Sequence, residues 1–227
     1  KLTTFVALLL LSLTCWADGL SSAVQSIETE WASIYYKLPK HKQEVAFDAL
    51  LSKSQQLVQQ FPDSGEPLFW EALVLATNAE LQDGYTALKA IHKSRELLQA
   101  AIKIDPKTAN GSAYVTLGTL YYMAPSWPIA FGDDKEAEKM FQAALKVNPS
   151  GIDVNYFYGD FLLANNNPKA AQEHFAKALS APARKEQFFA DSMLKEEAKL
   201  ALSNTKERKI NGVKNTFFSL FNSASLK

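Results

Sequence analysis

The side chains suited to catalysis are few in this chain and lie far apart. None of the three histidines, His41, His92 and His174, sits in the His-Glu-x-x-His spacing that puts two imidazoles on one helix face for zinc. Cys15 is the single cysteine, so no Cys-x-x-Cys redox or metal pair can form. There is no Gly-x-Ser-x-Gly elbow to expose a nucleophile and no glycine-rich loop to cradle phosphate. The Asp133-Asp134 pair has the charge for a metal. It also precedes Glu136 at the head of a helical pattern, where a cap and the positive helix terminus would use the same carboxylates. His174 beside Phe175 reads as a surface or packing residue. These residues predict a non-enzymatic protein with no cofactor and no metal, whose work is binding.

A repeat supplies the frame for that binding. Ala137 and Ala171, Phe141 and Phe175, and Ala144 and Ala178 are each 34 residues apart, with Gly118 and Gly159 ahead of them and Pro149 and Pro182 behind. The period and residue types are those of the tetratricopeptide repeat (TPR), a helix-turn-helix unit. The glycines and alanines let two helices approach closely, the phenylalanines fill the gap between units, and proline ends each unit. The expected fold class is all-α: a TPR-type helical solenoid of about three to four helical pairs with C-terminal capping helices. The clearest repeats span 110–149 and 151–182. Gly118 to Ala137 is 19 residues against 12 from Gly159 to Ala171, so a seven-residue insertion falls in Ala124–Asp134.

In such a repeat the concave surface is lined by first-helix positions three before, one after and four after the glycine. Here those positions are Val115, Thr119 and Tyr122 in one unit and Tyr156, Asp160 and Leu163 in the next. Phe69, Leu73 and Ala76 take them in an earlier, divergent unit with Ala72 in the glycine place. The lining is apolar and aromatic with one acid. It lacks the Lys, Arg and Asn that grip C-terminal carboxylates. It suits an apolar or amphipathic ligand or a partner helix, unless helices from the insertions or termini fill the groove as core. Trp127 and Phe131 in the insertion are placed at the groove rim, or else fold back over neighbouring helices. The expected ligand- or partner-binding residues are therefore Phe69, Leu73, Tyr122, Trp127, Phe131, Tyr156 and Asp160.

The flanking elements follow from periodicity and breakers. A helix from about Leu20 to Tyr36 carries Trp31, Ile34 and Tyr35 on one face, and Pro39 ends it. A second, about Gln43 to Gln60, buries Phe47, Leu50, Leu51 and Leu57. Pro67 to about Ala79 opens the divergent unit, whose second helix ends near Pro106 after an interruption of about ten residues around Leu81 to Lys93. Asp133-x-x-Glu136 reads as a capping box and Asn167-Pro168 as a cap with proline at the first helical position. A charged helix from about Arg184 to Arg208 follows. A last segment with Val213, Phe217, Leu220 and Phe221 on one face would be an end cap or a membrane- or partner-docking helix.

Residues 1–17 read as a signal peptide ahead of a solenoid over 18–227. Lys1 is a minimal positive region, Leu2 to Leu13 is apolar but short for a span, and Cys15-Trp16-Ala17 offers small residues for cleavage before Asp18. Acylation at Cys15, giving a lipid-anchored protein, and an uncleaved anchor are the alternatives. The expected location is periplasmic. Net charge is zero and no basic stripe appears, which argues against nucleic acid.

Three stretches resemble the periplasmic TPR family called TatT, the T component associated with some TRAP transporters. They are Leu68-Phe-Trp-Glu-Ala-Leu73, Ala113–Tyr122 and Pro128-Ile-Ala-Phe-Gly-Asp-Asp-Lys-Glu-Ala137, within roughly Phe61 to Pro182. The resemblance implies an exported helical protein that can form homo-oligomers and works beside a TRAP substrate-binding subunit. Two functions are expected on these grounds: an exported protein that binds a periplasmic protein partner, or a carrier holding a small apolar or amphipathic ligand in its groove.

Overall fold

The computed structural model describes residues 2–185 and 187–206, with side chains over 19–185 and 187–205. It is helical throughout. The helices are α1 (Leu2–Lys37), α2 (Lys40–Gln60), α3 (Gly65–Ala79), α4 (Gly84–Ile104), α5 (Ser112–Met123), α6 (Asp134–Val147), α7 (Ile152–Ala164), α8 (Pro168–Ser180) and α9 (Phe188–Lys206). A 3₁₀ turn, Thr108–Gly111, leads into α5. Among the described residues the only β pairing is an isolated bridge between Ser126 and Gly132.

Local chemistry sets the helix ends. Asp83 accepts the Tyr85 and Thr86 amides at 3.0 and 3.2 Å to start α4, and Asp133 does the same for Lys135 and Glu136 at α6. The expected capping box at Asp133 forms only by half. Glu136 turns to Lys139 instead of reaching back, and the Asp133 amide donates to the Tyr121 carbonyl at 2.9 Å. Asn167 caps α8 ahead of Pro168. Gln43 secures the α1–α2 turn, its Nε2 lying 2.9–3.1 Å from the carbonyls of Ile34, Tyr35 and Leu38.

Packing follows chain order: α3 lies on α4, α5 on α6 and α7 on α8. The small residues make these approaches close. A Cβ on Gly159 would sit 2.7 Å from the Phe175 ring, and one on Gly118 would sit 3.2 Å from Met140. Ala137, Phe141, Ala144, Ala171, Phe175 and Ala178 are all buried. In the divergent unit Ser94 takes the place of the repeat alanine, donating its hydroxyl to the Ala72 carbonyl at 2.7 Å.

Two expected boundaries need correction. Leu81 to Lys93 is no interruption. The extra residues lengthen α4 at its N-terminal end, because Asp83-Gly84 starts the helix well ahead of the packed segment. The first helix begins at Leu2, so the backbone of the expected leader runs continuously into α1; leader side chains lie outside the described residues. The Val213, Phe217, Leu220 and Phe221 segment also lies outside them. No helix among the described residues is long and apolar enough to cross a membrane.

The terminal helices decide the shape of the groove. Helix α1 packs on α2 and α3, α9 packs on α8 and α7, and α1 touches α9. They therefore meet over the row formed by α3, α5 and α7.

Candidate functional site

Between the terminal helices and that row lies a cavity of about 310 Å³. Each wall is one helix face. Glu28, Trp31 and Tyr35 of α1 recur at three and four residues, as do Glu66, Phe69, Trp70 and Leu73 of α3. Ser112, Val115, Thr116 and Thr119 come from α5, and Asp153 and Phe157 from α7. The last wall is Arg184, Gln187, Asp191, Leu194 and Glu197, from α9 and the segment before it.

The middle of the cavity is aromatic. Trp31 stacks on Tyr35 with ring centroids 5.3 Å apart, meets Trp70 edge-on at 6.5 Å, and donates its indole N–H to the Thr77 hydroxyl at 3.1 Å. Phe69 meets Trp70 edge-on at 5.2 Å. These contacts fix the rings as a wall.

One end is polar. Arg184 and Asp191 form a partly buried fork: Nη2 to Oδ1 is 2.6 Å, Nε to Oδ2 is 3.1 Å, and the Arg184 amide also donates to Oδ2. Asp191 is 1% exposed and the pair holds α9, while the Arg184 charge also acts on Asp153 and Glu28. Glu66 accepts the Ala109 amide at 2.8 Å, and this bond meets the backbone at Ala109 and Asn110, which both carry positive φ. Asp153 accepts from the Ser112 hydroxyl and from the Val154 amide. Glu28, 7% exposed, is hydrogen-bonded to Gln187.

Among the described lining residues there are five carboxylates, Glu28, Glu66, Asp153, Asp191 and Glu197, and one cation, Arg184. Burial pushes the Glu28 carboxyl up to about 7; the Gln187 hydrogen bond and Arg184 oppose the shift, and the Asp191 and Glu66 charges add to it. Burial raises Glu66 against the Ala109 hydrogen bond, and raises Glu197 against a hydrogen bond from Tyr156. At the Glu197 end, Asp160 is pushed up to about 7 by burial and then by the Glu197 charge, with Tyr122 opposing. No cluster of three or more His, Cys, Asp or Glu among the described residues could hold a metal ion.

Of the residues expected at the site, Phe69 and Leu73 line the cavity, as do Val115 and Thr119. Tyr122 and Tyr156 do not present an open surface. They are 4% and 2% exposed: Tyr122 meets Phe161 of α7 edge-on at 5.4 Å and engages Asp160, and Tyr156 is engaged by Glu197 of α9, which packs over α7. Asp160 lies behind the wall with Tyr122. The terminal helices therefore convert part of the expected groove into core and leave the rest as the cavity.

Trp127 and Phe131 do not sit at its rim. Phe131 packs against His92 and Tyr121 at 5.0 and 5.6 Å, with the Arg95 guanidinium 4.2 Å over its ring. Trp127 stands 85% exposed on the α5–α6 loop. Asp133 is a helix cap. His174 is a packing residue, 2.9 Å from the Asn155 amide oxygen and edge-on to Tyr158 at 4.7 Å.

Repeat reasoning missed Glu28, Trp31, Tyr35, Glu66, Trp70, Asp153, Arg184, Asp191 and Glu197, although all of them line the cavity. One signal was available. Glu28 shares the helix face of Trp31 and Tyr35, and an acid on an aromatic face is out of place for a surface helix.

Compared with known proteins, the chain matches no protein-family model and no curated protein.

Proposed function

We propose that this chain is a non-enzymatic binding protein of the TPR-solenoid type that carries a small amphipathic molecule in the cavity between α1, α9 and the α3–α5–α7 row. The observation that carries the reading is the cavity itself, about 310 Å³ with an aromatic middle and polar ends. Small-molecule sites have this composition, with an apolar lining and a few placed polar groups, and run from about 300 to 1,000 Å³. Its α1 wall begins at Val24, so the walls survive if residues 1–17 are removed on export to the periplasm. As a TRAP-associated T component, the protein would pass ligand to or from a substrate-binding subunit.

A second reading, docking of a protein partner, is favoured by one feature. Trp127 and Ile129 stand 85% and 63% exposed on the short α5–α6 loop, and exposed apolar residues gathered on one loop suit a contact.

Native mass spectrometry of the purified chain tests the first reading. The expected result is a bound small molecule that is lost when Leu73→Trp fills the cavity. A ligand-free protein that is captured on a periplasmic partner through Trp127, and released by Trp127→Ala, would replace the carrier reading with the docking one.

A further inference from the structure

The balance of charge in the cavity specifies the chemistry of its occupant. We propose that the cavity takes an organic cation, a protonated amine on an apolar body, with the ammonium at the Glu28, Glu66 and Asp153 end and the body against Trp31, Phe69 and Trp70. This rests on the carrier reading above and narrows it to one class of ligand.

Arg184 is the only cation among the described lining residues, and Asp191 takes it in a bidentate contact plus a backbone hydrogen bond. That leaves Glu28, Glu66, Asp153 and Glu197 facing the cavity with hydrogen-bond donors and, among the described lining residues, only the shared Arg184 charge, which also acts on Asp153 and Glu28, against four carboxylates. An anionic ligand would meet like charge in a low-dielectric space, where repulsion is strongest. A neutral apolar ligand would strip water from the carboxylates and return nothing. A cation meets both kinds of wall, because the faces of Trp and Phe also attract positive charge.

Burial supports the same conclusion. Glu28 is held at about 7 because it is buried without enough positive charge nearby, and a ligand ammonium would supply what is missing. Carboxyls kept this way weaken the empty protein, and groups of this kind cluster at functional sites. A bare metal ion is the poorer fit, since the carboxylates do not converge as ligands to one point.

Calorimetric titration of the full chain at pH 8 with three probes of one length tests the inference: n-hexylammonium, 1-hexanol and hexanoate. Hexylammonium should bind at least about tenfold more tightly than hexanol, with hexanoate weakest. The Glu28→Gln/Glu66→Gln variant should lose most of the ammonium preference and keep its hexanol affinity. Hexanoate or hexanol binding as well as the amine would overturn the cation assignment while leaving the carrier reading intact. So would an ammonium preference that survives the double substitution. Failure of all three probes to bind the wild type would overturn both. The wild-type comparison does not depend on whether the variant folds.

Discussion

Gly118 and Gly159 hold the same place in successive units, yet the structure predicts different outcomes for the same substitution. In Gly118→Ala the new Cβ would lie 3.2 Å from Met140 Cβ and 3.3 Å from the Ala137 carbonyl and the Phe141 ring. Those neighbours need to give by only a few tenths of an ångström. The gain in helix propensity, about 1 kcal/mol for Gly to Ala, offsets most of that crowding. In Gly159→Ala the Cβ would lie 2.7 and 2.8 Å from two carbons of the Phe175 ring. That ring cannot retreat, being fully buried with Tyr156 packed beside it at 6.1 Å. Overpacking of this kind costs about 1–3 kcal/mol against the same propensity gain. Gly159→Ala should therefore be less stable than Gly118→Ala by about 1–2 kcal/mol, or roughly 2–8 °C in Tm for a domain of this size. Urea melts followed by circular dichroism measure the difference. Phe175→Leu should relieve the clash, so the Gly159→Ala/Phe175→Leu double variant should be more stable than the sum of its singles by about 1 kcal/mol. Equal stability of the two alanine variants, or no coupling to Phe175, would refute the packing argument.

Stability should also fall as pH rises from 5 to 8. Glu28 and Asp160 have folded pKa values near 7, above their ordinary values of 4.5 and 3.8. Between those limits the folded chain keeps protons that the unfolded chain has released, so raising the pH favours unfolding until both groups are ionised. Glu28 faces Glu66 from α3 and Arg184 and Asp191 from the α9 side, while Asp160 faces Glu197 and Tyr122; thermal melts across this range, flat or rising, would contradict the burial assigned to both carboxyls. Saturating hexylammonium should flatten the curve by holding Glu28 ionised at lower pH. On the α5–α6 loop, Trp127→Ala should leave Tm unchanged, within about 0.5 kcal/mol, since the indole is 85% exposed. Phe131→Ala should cost about 1–3 kcal/mol through lost contact with His92, Tyr121 and Arg95, readable in the same urea melts.

What could be read in the sequence was whatever repeats in it. Gly159 and Ala171 implied a close approach of two helices, and α7 lies on α8; the structure adds that the Phe175 ring, expected between units, packs against Gly159 itself, and the interval between Ala72 and Pro106 implied a helical pair, which α3 and α4 form. The extra residues in that pair looked like a loop because periodicity alone does not say where an added stretch goes. The Asp83 cap sends it into helix. The cavity was legible only on the side built by α3 and α5. Its other walls come from α1 and the 184–197 segment, which share no register with the repeat, so no spacing rule could assign Glu28 or Asp191 to a common space. Helix α9 also hid Tyr156, and the α5–α7 packing hid Tyr122 against Phe161, both of which repeat geometry alone would leave open. The remaining signal lay in a mismatch of character within one helix. Glu28 sits on the face of α1 that carries Trp31 and Tyr35, where a helix packing only against core would carry no acid. Asp191 and Glu197 repeat the mismatch around Leu194 in α9. Two terminal helices that each place carboxylates on their buried face, and then meet over a shared cavity, pay for that burial by holding protons, and a positive occupant would offset the same cost while leaving them ionised.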